Sequence, residues 1–255
     1  MIKKVLHRTI EWLCACTLLA CVSGGSTQIN SQSSRDTIER ARAHTELGAV
    51  YYQQNKMEIA LDEFNEALEA NPNYALAHNG LGMVYAGLRE DVKAESHFKR
   101  SVQIDPNSSE SHNNYGNFLC ARGRIDESIM HFLEAVKNPL YATSQLAYAN
   151  AGVCALKKKD EKNAEMYFIK ALQIDPLYHR AAYQLAQLQF NQGQALRARE
   201  TLQLALYQQA TPEVLWLGIQ IERKLGNKDA EASYSLDLRK RFSDSPQAKL
   251  LMNGQ

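Results

Sequence analysis

Two residue types in this chain could do chemistry, and both recur at one interval. Cys120 and Cys154 stand 34 residues apart, and so do His97 and His131, each followed by Phe. His44, His78 and His112 form a further series with the same step. Two thiols held side by side in an oxidising compartment form a disulfide if their Cα atoms come within ~4.4–6.8 Å. Two buried free thiols are the alternative. Histidines could hold zinc, which needs three or four ligands converging at ~2.0–2.1 Å. No CxxC or HExxH cluster accompanies them. The shared interval explains both series as positions of a repeated unit, so no metal is expected. No nucleophile motif, phosphate-binding glycine loop or paired-carboxylate pattern is present. The chain therefore reads as no enzyme, with no cofactor and no small-molecule substrate. Its 29 basic and 28 acidic residues leave a formal charge of +1 without a basic stripe, which lacks the footprint of a nucleic-acid binder.

The interval belongs to a longer signature. His44, Leu47, Gly48, Tyr51, Ala60, Phe64, Ala67 and Pro72 return as His78, Leu81, Gly82, Tyr85, Ala94, Phe98, Ser101 and Pro106. A third copy carries His112, Tyr115, Gly116, Leu119, Ser128, Phe132 and Ala135; a fourth carries Tyr148, Ala151, Gly152, Ala155, Ala164, Phe168, Ala171 and Pro176. A weaker fifth has Leu185, Ala186, Ala198, Leu202 and Ala205, and a sixth has Leu217, Gly218, Ile221, Ala230 and Tyr234. Starts fall near 41, 75, 109, 145, 179 and 211, with two residues gained near Pro139 and two lost near Pro212. A 34-residue period of this kind is the mark of the tetratricopeptide repeat, a helix–turn–helix unit that stacks into a solenoid. The expectation is an all-α solenoid of about six repeats over 37–243. Gly in the first helix and Ala in the second let two helices approach closely. Leu47, Tyr51 and Phe64 lie at helical spacing and are expected to fill the space between them. Pro72, Pro106 and Pro176, each after an Asn or Asp, end the second helices. The segment around Leu236, Leu238 and Phe242 closes the stack. Residues 244–255 form a polar tail with a short helix over Leu250 and Leu251.

The first residues set the compartment. Lys3, Lys4 and Arg8 precede an apolar run from Trp12 to Ala20, too short to span a bilayer and suited to a secretory signal over 1–20. Leu18-Leu19-Ala20-Cys21 resembles the lipobox of bacterial lipoproteins. That resemblance implies cleavage before Cys21, acylation of its thiol (palmitate among the chains) and, with Val22 following, export to the outer membrane. Removal of the signal takes three bases and one acid away, and the formal charge to −1. The stretch 21–36, with Gly24, Gly25 and five serines between Val22 and Arg35, reads as a flexible tether. Fourteen such residues reach at most about 50 Å at ~3.3–3.6 Å each. The repeat domain is thus expected in the periplasm on a lipid leash.

In such a solenoid the first helices line the concave face. Positions beside the signature residues point there: Tyr52, Asn79, Met83, Asn113, Asn117, Leu146, Arg180, Tyr183 and Gln187. Asn and Gln can pair with an extended peptide backbone, while Tyr and Met offer apolar contact.

Lipobox, serine-rich tether and six repeats together resemble the type IV pilus biogenesis and stability lipoproteins, the pilotins of the PilF/PilW kind. Three stretches carry the likeness: Asn113-Asn114-Tyr115-Gly116-Asn117-Phe118-Leu119-Cys120, Asn138-Pro139-Leu140-Tyr141, and Leu215-Trp216-Leu217-Gly218-Ile219 through Leu238-Arg239-Lys240-Arg241-Phe242. The resemblance implies an outer-membrane lipoprotein that helps a pilus secretin, or other pilus assembly proteins, assemble, and so supports twitching motility. An envelope adaptor that docks cell-wall hydrolases or an outer-membrane assembly machine is the other reading. The cysteine pair yields the first prediction. Non-reducing peptide mapping of periplasmic protein is expected to recover Cys120 and Cys154 crosslinked, and recovery of both as free thiols would contradict it.

Overall fold

The computed structural model describes residues 25–254. The expected signal peptide and Cys21 lie outside the described residues. The chain divides into two units, 1–74 and 75–255.

In the first unit, α1 (Gly25–Gln53) packs along α2 (Met57–Ala70). α1 begins well before the expected repeat start near 41 and runs through the stretch read as a tether. No proline or glycine occurs between Gly25 and Gly48 to interrupt it. Ala60, Phe64 and Ala67 form the buried stripe of α2. Leu47 departs from expectation. It is 41% exposed, because it stands on a side of α1 that α2 does not cover.

The second unit contains five helix pairs and a closing helix. They are α3 (Ala75–Gly87) with α4 (Asp91–Ile104), α5 (Ser109–Ala121) with α6 (Ile125–Ala135), and α7 (Ser144–Lys157) with α8 (Glu161–Ile174). Next come α9 (His179–Asn191) with α10 (Ala195–Gln208), α11 (Pro212–Leu225) with α12 (Lys228–Arg241), and last α13 (Pro246–Met252). The first helices open within one residue of the starts read from the 34-residue period. All elements among the described residues are helices, as a tetratricopeptide-repeat solenoid requires. α13 packs its buried Ala248, with Phe242 and Leu251, against Leu215, Ile219 and Leu238. Leu236, expected in that closing contact, is 63% exposed, since it lies on the opposite side of α12 from Leu238.

Within each pair one contact sets the spacing. A Cβ built on Gly48, Gly82, Gly116 or Gly152 would stand 2.9, 2.8, 2.8 or 2.5 Å from the ring of Phe64, Phe98, Phe132 or Phe168. The three phenylalanines of the second unit are at most 2% exposed. The weak fifth repeat keeps the volume by other means, with Ala186 at the glycine position and Leu202 at the phenylalanine position, both buried in one cluster. The sixth pairs Gly218 with Tyr234 at 3.1 Å.

Turn chemistry explains the punctuation. Between first and second helices one residue is left-handed in each repeat: Asn55, Arg89, Gly123, Lys159, Gly193 and Gly226. Lys157-Lys158-Lys159 is accordingly a solvated helix end. After second helices, the side chains of Asn71, Asp105 and Asp175 accept the backbone N–H two residues on, at 3.0–3.1 Å. The two-residue insertion uses the same device, with Asn138 Oδ1 accepting from Leu140 N–H at 2.9 Å. These Asx turns hold the following proline where the helix stops.

In the second unit each first helix touches the next first helix, from α3 through α11, whereas no second helix touches another second helix among α4, α6, α8, α10 and α12. Helices close on one side and splayed on the other give a curved stack, with the first helices inside.

The aromatic contact is directly testable. Gly152→Ala forces a methyl onto Phe168, which costs about 1–3 kcal/mol as overpacking, less about 1 kcal/mol gained in helix propensity. Urea denaturation is expected to show net destabilisation. Adding Phe168→Leu, the combination present at Ala186 and Leu202, is expected to recover most of it. A Gly152→Ala protein as stable as the parent would contradict the assignment.

Candidate functional site

The concave face of the second unit presents the inner sides of α3, α5, α7, α9 and α11. Sequence expectation placed open amides at Asn79 and Asn113. The structure instead buries both, at 2% and 4% exposure, and uses them between repeats. Asn114 Nδ2 donates to Asn79 Oδ1 at 3.4 Å and to Met83 Sδ at 3.3 Å. Asn113 Nδ2 donates to Asn114 Oδ1 at 3.4 Å, and Asn150 Nδ2 donates to Asn113 Oδ1 at 3.1 Å. A side-chain amide carries both donor and acceptor, so these residues link α3, α5 and α7 by bonding one another. The spacing that revealed Asn79 and Asn113 could not show this, because the partners Asn114 and Asn150 are 36 apart, across the insertion.

Of the remaining expected residues, Asn117 is exposed on α5 and Leu146 is half-buried on α7. Tyr52 is half-buried on α1, in the first unit. The structure brings Arg180 and Tyr183 together in a groove of about 180 Å³, whose walls come from α7, α9 and the start of α11. Asn150, Val153, Gln184 and Glu213 also line it. Tyr183 donates its hydroxyl to Gln187 Oε1 at 3.2 Å. Burial, and secondarily the Glu213 carboxylate, hold the Tyr183 phenol above its usual range, so it is a neutral donor. Asn150, Gln184 and Glu213 were not anticipated. The available signal was the 34-residue step from Asn150 to Gln184.

The cysteines and histidines sit in the body of the stack. Cys120 and Cys154, late in α5 and α7, are in bonding contact, with Cα atoms 5.9 Å apart. In the first unit His44 Nδ1 meets Glu63 Oε2 at 2.7 Å. The corresponding positions of the next two repeats hold histidine pairs, His78 with His97 at 3.0 Å and His112 with His131 at 2.8 Å, Nδ1 to Nδ1. His112 Nε2 donates to the Pro106 carbonyl at 3.0 Å, which leaves its Nδ1 as acceptor and makes His131 Nδ1 the donor. Among the described residues no three metal-ligating side chains converge.

Polar bridges run between repeats at the helix turns. Arg122 holds Asp91 through two bonds of 2.7 and 2.5 Å. Lys158 meets Asp126 at 2.6 Å, and Gln192 donates to Glu161 at 2.9 Å. Such exposed pairs contribute little to stability one by one, because solvent screens them; their regular placement aligns neighbouring repeats.

This arrangement is a repeat scaffold, and comparison with known proteins places it. Models described as "TPR repeat" and "Tetratricopeptide repeat" match residues 48–88, 97–130 and 155–217. The chain belongs to the tetratricopeptide-repeat proteins. More particularly, it is similar to the type IV pilus assembly protein PilF of Pseudomonas aeruginosa, 29% identical over 242 residues, covering 94% of this chain and 95% of that protein. A solved structure of Pseudomonas aeruginosa PilF matches with a TM-score of 0.76 and 27% identity, covering 86% of this chain and all of that one. The crystal structure of PilW, described as a widely conserved type IV pilus biogenesis factor, matches with a TM-score of 0.73 and 29% identity, covering 83% and 98%. The pilus-biogenesis resemblance read from the sequence is therefore borne out in both sequence and structure.

The histidine pairs predict a pH dependence. Burial first, and His78 or His112 second among the like charges, lower the His97 and His131 pKa values to about 4. The unfolded chain binds these protons near pH 6.5 and the folded chain does not. Stability is therefore lost as pH falls from 6.5 towards 4. Glu95, lowered to about 2 mainly by its bonds to Lys99 and Arg124, adds its loss only below about 4.5. Thermal melts between pH 7 and 5 are expected to fall, and His97→Asn/His131→Asn is expected to flatten that limb. A melting temperature constant from pH 7 to 5 would contradict the burial of neutral histidines.

Proposed function

We propose that this chain is an outer-membrane lipoprotein whose repeat domain stands in the periplasm as a non-catalytic scaffold for type IV pilus biogenesis. In this reading it holds secretin subunits, helps them reach the outer membrane and multimerise, and thereby supports pilus stability and twitching motility. One combination carries the proposal. A leader ending Leu18-Leu19-Ala20-Cys21 precedes a repeat domain similar throughout to PilF and PilW.

Physical considerations support it. Anchoring is assigned to the Cys21 thiol on the likeness of Leu18-Leu19-Ala20-Cys21 to a lipobox. Each CH₂ of a buried acyl chain contributes ~0.8 kcal/mol, and two chains make attachment stable. Holding scaffold and cargo on one membrane raises their local concentration, which favours multimer formation without any catalytic step. In this reading the Cys120–Cys154 pair is oxidised and pins the third repeat to the fourth, whose α7 forms one wall of the groove.

Replacement of Cys21 by Ser tests the reading. Membrane fractionation is expected to find the Cys21→Ser protein soluble, and heat-resistant secretin multimers are expected to drop. Unchanged multimers with a mislocalised scaffold would overturn it.

A further inference from the structure

We infer that the groove between α7, α9 and α11 takes an extended peptide bearing an acidic and a basic side chain on one side, set by Arg180 and Glu213. The inference rests on the reading of this chain as a protein scaffold and says which surface works and what chemistry it selects.

Four observations converge. First, Asn79, Asn113 and Asn114 are committed to one another, so apart from Asn117 the open amides of the concave face lie farther along. Second, the Gln184 side chain makes no hydrogen bond within the chain, and Asn150 has spent its Nδ2 on Asn113 while its Oδ1 stays available. These two amides stand 34 residues apart, at one register on neighbouring first helices. An open amide on Gln184 and an open carbonyl oxygen on Asn150 suit a backbone whose own N–H and C=O groups are unpaired, as they are in an extended strand and are not in a helix. Third, Arg180 is exposed, lines the groove, and has no ion pair or hydrogen bond. Most arginines of the second unit do have one, among them Arg122, Arg124, Arg197, Arg199, Arg223 and Arg241. Fourth, Glu213 on α11 brings the opposite charge, steadied by Gln247 Nε2 at 3.3 Å.

Neighbouring helices lie ~8–10 Å apart. Side chains on one side of an extended chain repeat every two residues, about 6.6–6.8 Å. The long arms of Arg180 and Glu213 close the difference, so an acid and a base two positions apart in the partner meet both walls. Val153 and Val214 add apolar lining to the groove.

The test uses the mature protein extracted from membranes in detergent and two fluorescein-labelled probes, Gly-Val-Asp-Val-Lys-Val-Gly and its charge-reversed form with Lys before Asp. Fluorescence anisotropy is expected to show one probe bound over the other, since the groove has a polarity. Arg180→Glu is expected to weaken the preferred probe about tenfold, the size of a charge-assisted bond. The exchange Arg180→Glu/Glu213→Arg is expected to transfer preference to the other probe. Both positions are exposed, and circular dichroism should stay unchanged. Binding indifferent to either substitution, or no binding of either probe, would overturn the inference. No secretin is present in this assay, so its outcome is separate from that of the Cys21 experiment.

Discussion

The structure depends on a glycine meeting an aromatic ring in five of its six repeats. The distance between first and second helix is set by how near the α-carbons of Gly48, Gly82, Gly116 and Gly152 come to Phe64, Phe98, Phe132 and Phe168. Interiors are packed to near-crystalline density, so a methyl group is enough to disturb such a contact. The fifth repeat shows the constraint as one of summed volume, with Ala186 and Leu202 replacing glycine and ring together. Once the pair spacing is fixed, first helices can touch in sequence while second helices splay. The concave face and its groove follow from that curvature.

The fold was legible for a reason that applies to few chains. Each repeat states its own packing rule, and the rule recurs six times, so errors of local propensity average out. The helix starts at 75, 109, 144, 179 and 212 lie within one residue of the starts that the repeated signature gives. Leu47 was misread because the same residue type is buried at Leu81 and 41% exposed here; burial depends on what covers a face, which periodicity does not state. The long α1 was missed because serine- and glutamine-rich composition suits both a tether and a solvated helix.

The candidate site was legible only in part. Arg180 and Tyr183, read from register, lie together in the groove lined by α7, α9 and α11. Asn79 and Asn113 were on that face too, yet a single sequence does not reveal whether an amide points to a partner or to another amide. The insertion at Asn138-Pro139-Leu140-Tyr141 shifts the phase between α5 and α7, and this shift lets Asn150 reach Asn113. The same shift brings Cys120 opposite Cys154. The histidines of the 34-residue series meet each other in pairs, His78 with His97 and His112 with His131, in the body of the stack.

Scaffold, groove and proposed anchor form one account, in which a lipid fixes the location and the concave face fixes the partner. Its most direct test is photo-crosslinking in intact cells from two positions, 183 in the groove and 173 on the outer side of α8, followed by mass-spectrometric identification of the adducts. The account predicts an adduct with the pilus secretin from position 183 and none from position 173. A cell-wall hydrolase captured from position 183, or equal capture of the secretin from both positions, would contradict it.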